Sequence, residues 1–144
     1  MKNCVFCKII AGELPADTIY EDDLVLAFLD IAPLNHGHTL IVPKEHHNSL
    51  TTVPAACLAR MMVLAPRIGT IIMRVVDGGG FNLLLANGTC AGQVIPHVHL
   101  HVIPRHPADG LVLPVRTVQY ESAQQKSDFL EEMRQRLKKM KSEE

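Results

Sequence analysis

The chain contains 144 residues, of which 47% are hydrophobic and 20% are charged, and its formal net charge at pH 7 is −1. This is the composition of one ordinary globular domain, so we expect a single domain over residues 1–144. The balanced charge argues against nucleic acid or an anionic membrane as the main partner, because proteins that bind them usually carry a basic surplus. The longest apolar stretch, residues 58–76, is interrupted by three arginines and a proline, and no export signal is recognisable. We therefore expect a cytoplasmic protein that does not span a membrane.

The first predicted elements are a Cys-x₂-Cys pair at Cys4 and Cys7 and a short helical turn that ends near Gly12. With no export signal, the pair is interpreted as a candidate metal pair in a reducing compartment rather than as part of a disulfide framework. Five later segments have the β-branched content or the alternation that is typical of strands. They are residues 19–21, 25–29, 39–43, 81–86 and 97–104.

Two helices complete the predicted elements. A long helix follows the third strand, from an N-cap at Thr52 to about Val76, and Pro66 is expected to kink it midway. A polar helix near the C-terminus has a narrow apolar face, formed by Phe129, Leu130, Met133, Leu137 and Met140. The order of strands, long helix and further strands predicts an α+β fold with a mainly antiparallel five-stranded sheet. Residues 4–105 are its expected core, and residues 106–144 are a C-terminal extension with a helix.

Eight histidines are the unusual feature of the composition. His97, His99 and His101 alternate with aliphatic residues, so that the three imidazoles share one face of a strand while the aliphatic side chains pack on a core. Histidine binds metals and also acts as a base, acid or nucleophile near neutral pH. The alternation by itself leaves a metal site and a catalytic site as open alternatives.

The loop before this strand adds the elements of a phosphate site. Gly88 and Gly92 allow backbone N–H groups to approach an anion closely, and the Gln93 amide can donate to a phosphoryl oxygen. His38, which precedes the third strand, can join the same cluster. These residues together favour a phosphate-binding hypothesis for the histidine face.

The segment His97-Val-His-Leu-His-Val-Ile resembles the signature of the histidine-triad (HIT) nucleotide hydrolases and transferases. Similar segments occur in order at residues 4–10, 28–31, 37–44 and 91–93, so the resemblance covers residues 4–105. It implies a HIT-like fold, a homodimer and a purine nucleotide substrate. A histidine at the third position of the triad is similar to the hydrolase branches rather than to the transferases.

The resemblance also implies catalytic roles. His99 would attack the α-phosphate, and water would then release a nucleoside monophosphate from the nucleotidyl-histidine. His38 and His101 would stabilise charge on the phosphate, and either could assist proton transfer. The implied substrates are purine nucleoside phosphoramidates or adenylates. The alternatives are a dinucleoside polyphosphate hydrolase, a nucleotide-binding regulatory module with incidental turnover, and a small metalloenzyme.

The binding residues implied by the resemblance fall into three sets. Asp30 would bind the ribose, and the base would lie among Phe6, Ile9, Phe28 and Ile31. The phosphate and leaving group would lie near Asn87, Gly92, Gln93 and Val94. Without the resemblance, Asp30 and Asn87 are equally typical of turns, and the apolar side chains are typical of a plain core. Val94 stands where the family often has Ser or Thr, which removes a hydroxyl near the leaving group.

Similarity to the zinc-containing bacterial members implies a structural metal. Cys4 and Cys7 have a spacing that suits tetrahedral zinc, and the resemblance supplies His46 and His97 as the other two ligands. His47 is a competing ligand because it adjoins His46. In this interpretation the first histidine of the triad binds zinc and leaves His99 free.

Overall fold

A computed structural model of the protein describes residues 3–112 and 117–143. These residues belong to two compact units, Met1–Leu111 and Val112–Glu144. The first unit contains the strands β1 (Thr18–Glu21), β2 (Val25–Leu29), β3 (Thr39–Pro43), β4 (Gly80–Leu84) and β5 (Leu100–Arg105). Its helices are α1 (Val5–Ile10) and α2 (Ala55–Val76), and the second unit contains α3 (Ala123–Glu143).

The five strands form one sheet in the order β1-β2-β3-β5-β4, and every neighbouring pair is antiparallel. The predicted α+β fold with a mainly antiparallel five-stranded sheet is therefore confirmed. In β5, His101 is paired with Leu40 of β3 on one side and with Leu84 of β4 on the other. The last histidine of the alternating segment thus lies within the sheet, between two paired strands.

The two faces of the sheet carry separate clusters of buried side chains. On one face, Val25, Ala27 and Ile41 belong to the same cluster as the buried side of α2. On the other face, Leu26, Phe28, Leu40 and Val42 pack with Cys4 and Phe6 at the N-terminal helix. Because the side chains of a strand alternate between the two faces of a sheet, β2 and β3 contribute to both clusters. A helix packs on each face. The histidine face of residues 97–101 lies on the α1 side.

Helix α2 is the one helix, among the described residues, that by length and composition could cross a membrane. Its structure in this unit is that of a core helix, because one side is buried against the sheet. The buried residues are Cys57, Met61, Leu64, Ala65, Ile68, Gly69 and Ile72. The helix continues through Pro66 to Val76, so the proline does not end it.

Two predicted boundaries are wrong. Thr52 does not cap α2; it ends a 3₁₀ turn, Leu50–Thr52, whose N-cap is Ser49, and Pro54 precedes the first residue of α2. The fifth strand begins at Leu100 rather than at residue 97, because the preceding backbone has partners outside the sheet ladder. The Val98 N–H donates to the His47 carbonyl at 2.7 Å instead.

Candidate active site and metal centre

His99 is buried, with 7% of its surface exposed, and its imidazole has a defined tautomer. Its Nδ1 lies 2.8 Å from the backbone carbonyl of His97. A carbonyl only accepts hydrogen bonds, so Nδ1 carries the proton and Nε2 holds the free lone pair. This is the state that a neutral imidazole needs in order to act as a nucleophile at Nε2.

Two hydrogen bonds in series fix the tautomers of His38 and His101. The backbone N–H of Leu34 donates to His38 Nδ1 at 3.1 Å, so the proton of His38 is on Nε2. That Nε2 lies 2.9 Å from His101 Nδ1 and donates to it. His101 therefore carries its own proton on Nε2, where it is a donor for an anion bound beside it.

Burial keeps this pair of histidines neutral. It lowers the pKa of His38, and the charge of nearby Asp30 opposes this shift without cancelling it. Burial, together with His99 and His38, lowers the pKa of His101 to about 4. At neutral pH both rings act as dipolar hydrogen-bond donors rather than as cations.

Asp30 caps its own turn, one of the two roles that the sequence left open, and its side chain also lies beside the histidines. Its Oδ1 accepts from the Ala32 N–H at 2.9 Å, which is the geometry of a side chain that caps its own turn. Its Oδ2 lies 3.6 Å from His38 Nδ1, and the Asp30 side chain is 17% exposed. The second oxygen therefore remains available at the edge of the histidine cluster.

A cavity of about 750 Å³ opens over these groups. Its polar lining includes Asp30, His99 and His101. The apolar lining includes four residues that the sequence assigned to a base site, Phe6, Ile9, Phe28 and Ile31. Gly92 and Val94 also line it, as expected, and the side chain of Ile31 is fully exposed. The cavity thus combines an apolar slot with a cluster of hydrogen-bonding groups, which is the usual composition of a small-ligand site.

Two residues expected at the phosphate have other partners. The Gln93 amide accepts from the Gly88 N–H at 2.7 Å and donates to the carbonyls of Asn48 and Ile95 at 3.0 and 3.1 Å. The Asn87 Oδ1 accepts from the Leu50 N–H at 2.7 Å. Neither side chain lines the cavity; Gln93 holds the loop that contributes Gly92, Val94 and Ile95 to the lining, and Asn87 holds the backbone of Leu50.

Four residues near α1 form a cluster that could hold a metal ion. The ligand atoms of Cys4, Cys7, His46 and His97 all lie within 4.8 Å of one another. His97 Nδ1 is 3.4 Å from Cys4 Sγ and 3.2 Å from His46 Nδ1, and Cys7 Sγ is 3.2 Å from His46 Nδ1. Bond lengths of about 2.3 Å to sulfur and 2.0–2.1 Å to nitrogen place the ligands of tetrahedral zinc about 3.3–3.8 Å apart. The cluster has the size and the donor set of a Cys₂His₂ zinc site.

Hydrogen bonds to neighbouring groups orient both imidazoles toward the centre of this cluster. His97 Nε2 donates to the Pro43 carbonyl at 2.8 Å, and His46 Nε2 donates to Asn48 Oδ1 at 2.8 Å. Both Nδ1 atoms are therefore unprotonated and directed at the cysteines, as metal ligands require. His47 lies outside the cluster, with its Nδ1 3.3 Å from Thr52 Oγ1, so the structure favours His46 of the two candidates.

Comparison with known proteins agrees with this geometry. The HIT domain profile matches residues 11–108. The chain belongs to the HIT family. Adenylylsulfatase HINT3 of Arabidopsis thaliana is 49% identical over 109 residues, which are 76% of this chain and 55% of that protein. This HIT chain therefore spans about half the length of that relative.

Two further relatives extend the comparison. Adenosine 5'-monophosphoramidase HNT1 of Candida albicans is 36% identical to this HIT protein over 107 residues, which are 72% of this chain and 70% of the relative. The crystal structure of a Zn-bound histidine triad family protein from Mycobacterium smegmatis is 35% identical, with a TM-score of 0.73 and coverage of 99% of both chains.

Several residues that support the site of this HIT protein were not found from the sequence. Leu34 and Pro43 act through backbone groups, and their side-chain types carry no signal for that role. Asn48 orients His46, and Asn35 anchors the loop that contains Leu34. An asparagine in a loop is typical of a turn, so only the fold shows what its amide contacts.

Proposed function

We propose that this protein is a nucleotide hydrolase in which His99 Nε2 attacks the α-phosphorus of a purine nucleoside phosphoramidate or adenylate. The observation that carries the proposal is the tautomer of His99, which donates from Nδ1 to the His97 carbonyl and leaves Nε2 free beside a cavity. The family membership and the names of the two relatives support hydrolysis at a nucleotide phosphorus.

The chemistry divides into two displacements. In the first, a bond forms between His99 Nε2 and phosphorus while the bond from phosphorus to the leaving nitrogen or oxygen breaks; a leaving amine takes a proton from solvent, and an acid leaves as its anion. In the second, water attacks phosphorus and releases its proton to solvent, the N–P bond breaks and restores neutral His99, and the nucleoside monophosphate departs. His101 donates from Nε2 to a non-bridging oxygen and stabilises the charge that develops there. His38 maintains that donor by its own hydrogen bond to His101.

The remainder of the nucleotide fits the cavity by its chemistry. The Oδ2 of Asp30 would accept hydrogen bonds from the ribose hydroxyls. The purine would lie between Phe6, Phe28 and the exposed Ile31. The leaving group would lie near Gly92 and Val94, where the lining offers no side-chain hydroxyl.

Steady-state hydrolysis and AMP binding test this proposal. The substrates are adenosine 5'-phosphoramidate, adenylylsulfate, lysyl-adenylate and diadenosine tetraphosphate. We expect turnover of the phosphoramidate or the adenylates, and His99→Ala should lose most of it, at least about 10³-fold, yet still bind AMP. His36→Ala, at an exposed histidine, should behave like the wild type. AMP binding without turnover of any substrate would contradict the catalytic proposal, and diadenosine tetraphosphate as the best substrate would favour the alternative hydrolase.

We further propose that Cys4, Cys7, His46 and His97 hold one structural zinc ion. The Zn-bound relative and the spacing of the ligand atoms support this assignment. With all four positions filled by protein ligands, the ion would supply no Lewis acid to the phosphate and would join α1 to the histidine segment. Metal analysis should find about one zinc per chain, lost in Cys4→Ala and retained in His99→Ala. The opposite pattern would indicate a metalloenzyme.

A homodimer completes the proposal. Family membership favours it, and α2 carries exposed apolar side chains at Met62, Val63, Ile71 and Val75 that an interface would cover. Light scattering should give twice the mass of the chain. A monomer at micromolar concentration would contradict this part alone.

A further inference from the structure

The loop between β2 and β3 determines which nitrogen of His38 carries a proton. Its Leu34 N–H is the donor to His38 Nδ1, and the loop closes on itself because the His38 N–H donates to the Asn35 carbonyl at 3.0 Å. The Asp30 N–H in turn donates to the His38 carbonyl at 2.9 Å. A displacement of this loop would remove the only donor to His38 Nδ1 found among residues 3–112 and 117–143.

The Asn35 side chain attaches this loop to the opposite end of the unit's sequence. Its Nδ2 donates to the Pro104 carbonyl in β5 at 2.8 Å and to Asp109 Oδ2 at 3.0 Å. β5 also carries His101, so one amide ties the loop that orients His38 to the strand that positions its partner. Both protons of that amide are used.

Several donors fix the Asp109 carboxylate in the position where it accepts from the Asn35 amide. Its side chain is 7% exposed and accepts from the Arg105 guanidinium through two bonds of 2.7 and 2.9 Å. The backbone N–H groups of His106 and Leu111 also donate to it. These donors hold the pKa of Asp109 well below its ordinary range, so the carboxylate remains an acceptor. Asp109 lies one residue beyond the segment that the family profile matches.

We infer that Asn35 and Asp109 are positioning residues that keep the Leu34 N–H on His38 Nδ1 and thereby keep a proton on His101 Nε2 facing the substrate. The inference rests on the proposed function for its effect on turnover, but the tautomers themselves are independent of it. Without the anchor, the loop can move away and His38 can place its proton on Nδ1, toward Asp30. His101 then loses its donor and can turn a lone pair toward the phosphate.

Nitrogen-15 NMR of the histidine rings tests the inference on the whole 144-residue chain, with any bound zinc retained and without substrate. In the wild type, His38 and His101 should both be protonated at Nε2. In Asn35→Ala, part of the His38 population should shift its proton to Nδ1. On the best substrate found, kcat should fall about tenfold with KM within about twofold, because a displaced hydrogen-bond donor acts mainly in the transition state.

Two variants make the outcome decisive. Asp109→Asn weakens the same anchor from its other end and should change the same NMR signals. Asp22→Ala breaks a comparable ion pair with Arg60, remote from the histidines, and should lower stability without changing them. Unchanged His38 tautomers in both folded anchor variants, or an equal change in Asp22→Ala, would overturn the inference. If the wild type turns over no substrate, the proposed function fails. The NMR result still decides whether Asn35 and Asp109 position His38.

Discussion

His101 lies in a setting that opposes its protonation. Burial is the main reason that its pKa falls to about 4, and His99 and His38 add to the effect. An imidazole in an unfolded chain has a pKa of about 6.5. The pKa values of His38 and His97 are lowered in the same direction, again chiefly by burial.

Stability should therefore depend on pH in a defined window. Between about pH 6.5 and 4 the unfolded chain binds protons that the native protein does not, so the free energy of unfolding should fall as the pH is lowered. Above pH 6.5 this contribution is fully present. Urea denaturation at pH 7.5, 6.0 and 5.0 measures it, and His101→Gln should reduce the slope. The same slope in that variant would show that His101 does not titrate as described.

The clustered histidines could be predicted from their pattern, whereas the backbone groups and loop amides that orient them could not. The alternation of His97, His99 and His101 was sufficient to place them on one face. Gln93 was expected at the phosphate because its amide can donate, but in the structure both of its donor positions are taken by the backbone carbonyls of Asn48 and Ile95. A glutamine amide that binds phosphate and one that binds backbone groups have the same chemistry. Only the surrounding loop decides which partners the Gln93 amide contacts.

At the scale of elements, the turn before β3 depends on a glycine. Gly37 has a φ of +88°, and a Cβ added there would lie 2.7 Å from Ile72 Cγ2 on α2. The loop that precedes His38 therefore passes directly over the long helix. Gly12 also has a positive φ, +73°, but no atom lies within 4 Å of its Cβ position.

These two glycines form a matched pair for a stability measurement. Gly12→Ala should lower the free energy of unfolding by about 1–2 kcal/mol, which is the cost of a left-handed conformation. Gly37→Ala should lower it by about 2–5 kcal/mol, because overpacking against Ile72 adds about 1–3 kcal/mol. Urea denaturation of both variants provides the comparison. Equal losses in the free energy of unfolding would contradict this prediction and would mean that α2 shifts to accommodate the added methyl group.

Element types were easier to predict than their ends. The five strands and both long helices occur where hydrophobic patterns indicated them. The start of β5 was placed too early because residues 97–99 keep the alternation of a strand while their backbone bonds elsewhere. Side-chain alternation reports which face a residue is on, whereas a strand assignment also needs a partner strand.

On the scale of the whole molecule, the N-terminal helix is a wall of the cavity. Phe6 and Ile9 line it, and the Phe6 ring lies edge-on to His99 with centroids 5.3 Å apart. The helix has six residues, too few to be stable without tertiary support. The cysteines at its start therefore connect the order of this wall to the proposed metal.

Loss of the metal should consequently weaken nucleotide binding more than chemistry. Cys4→Ser should raise the dissociation constant of AMP about tenfold, equivalent to about 1.4 kcal/mol, because the cavity loses the ordered wall that Phe6 and Ile9 form. The turnover number should change less, because the His99 tautomer depends on a backbone carbonyl. Calorimetric titration with AMP measures the effect, with Cys90→Ser at an exposed cysteine as the control. Unchanged affinity in a metal-free Cys4→Ser protein would contradict it.

His97 belongs to both proposed centres, since its ring faces the cysteines while its carbonyl accepts from His99, the proposed nucleophile. The two binding equilibria are linked, so whatever factor zinc contributes to AMP affinity, AMP must contribute to zinc affinity. Saturating AMP should therefore slow the removal of zinc by a chelator, and a nucleotide unable to enter the slot should not. Under this coupling, nucleotide supply in a cell would also set how firmly the protein retains its metal.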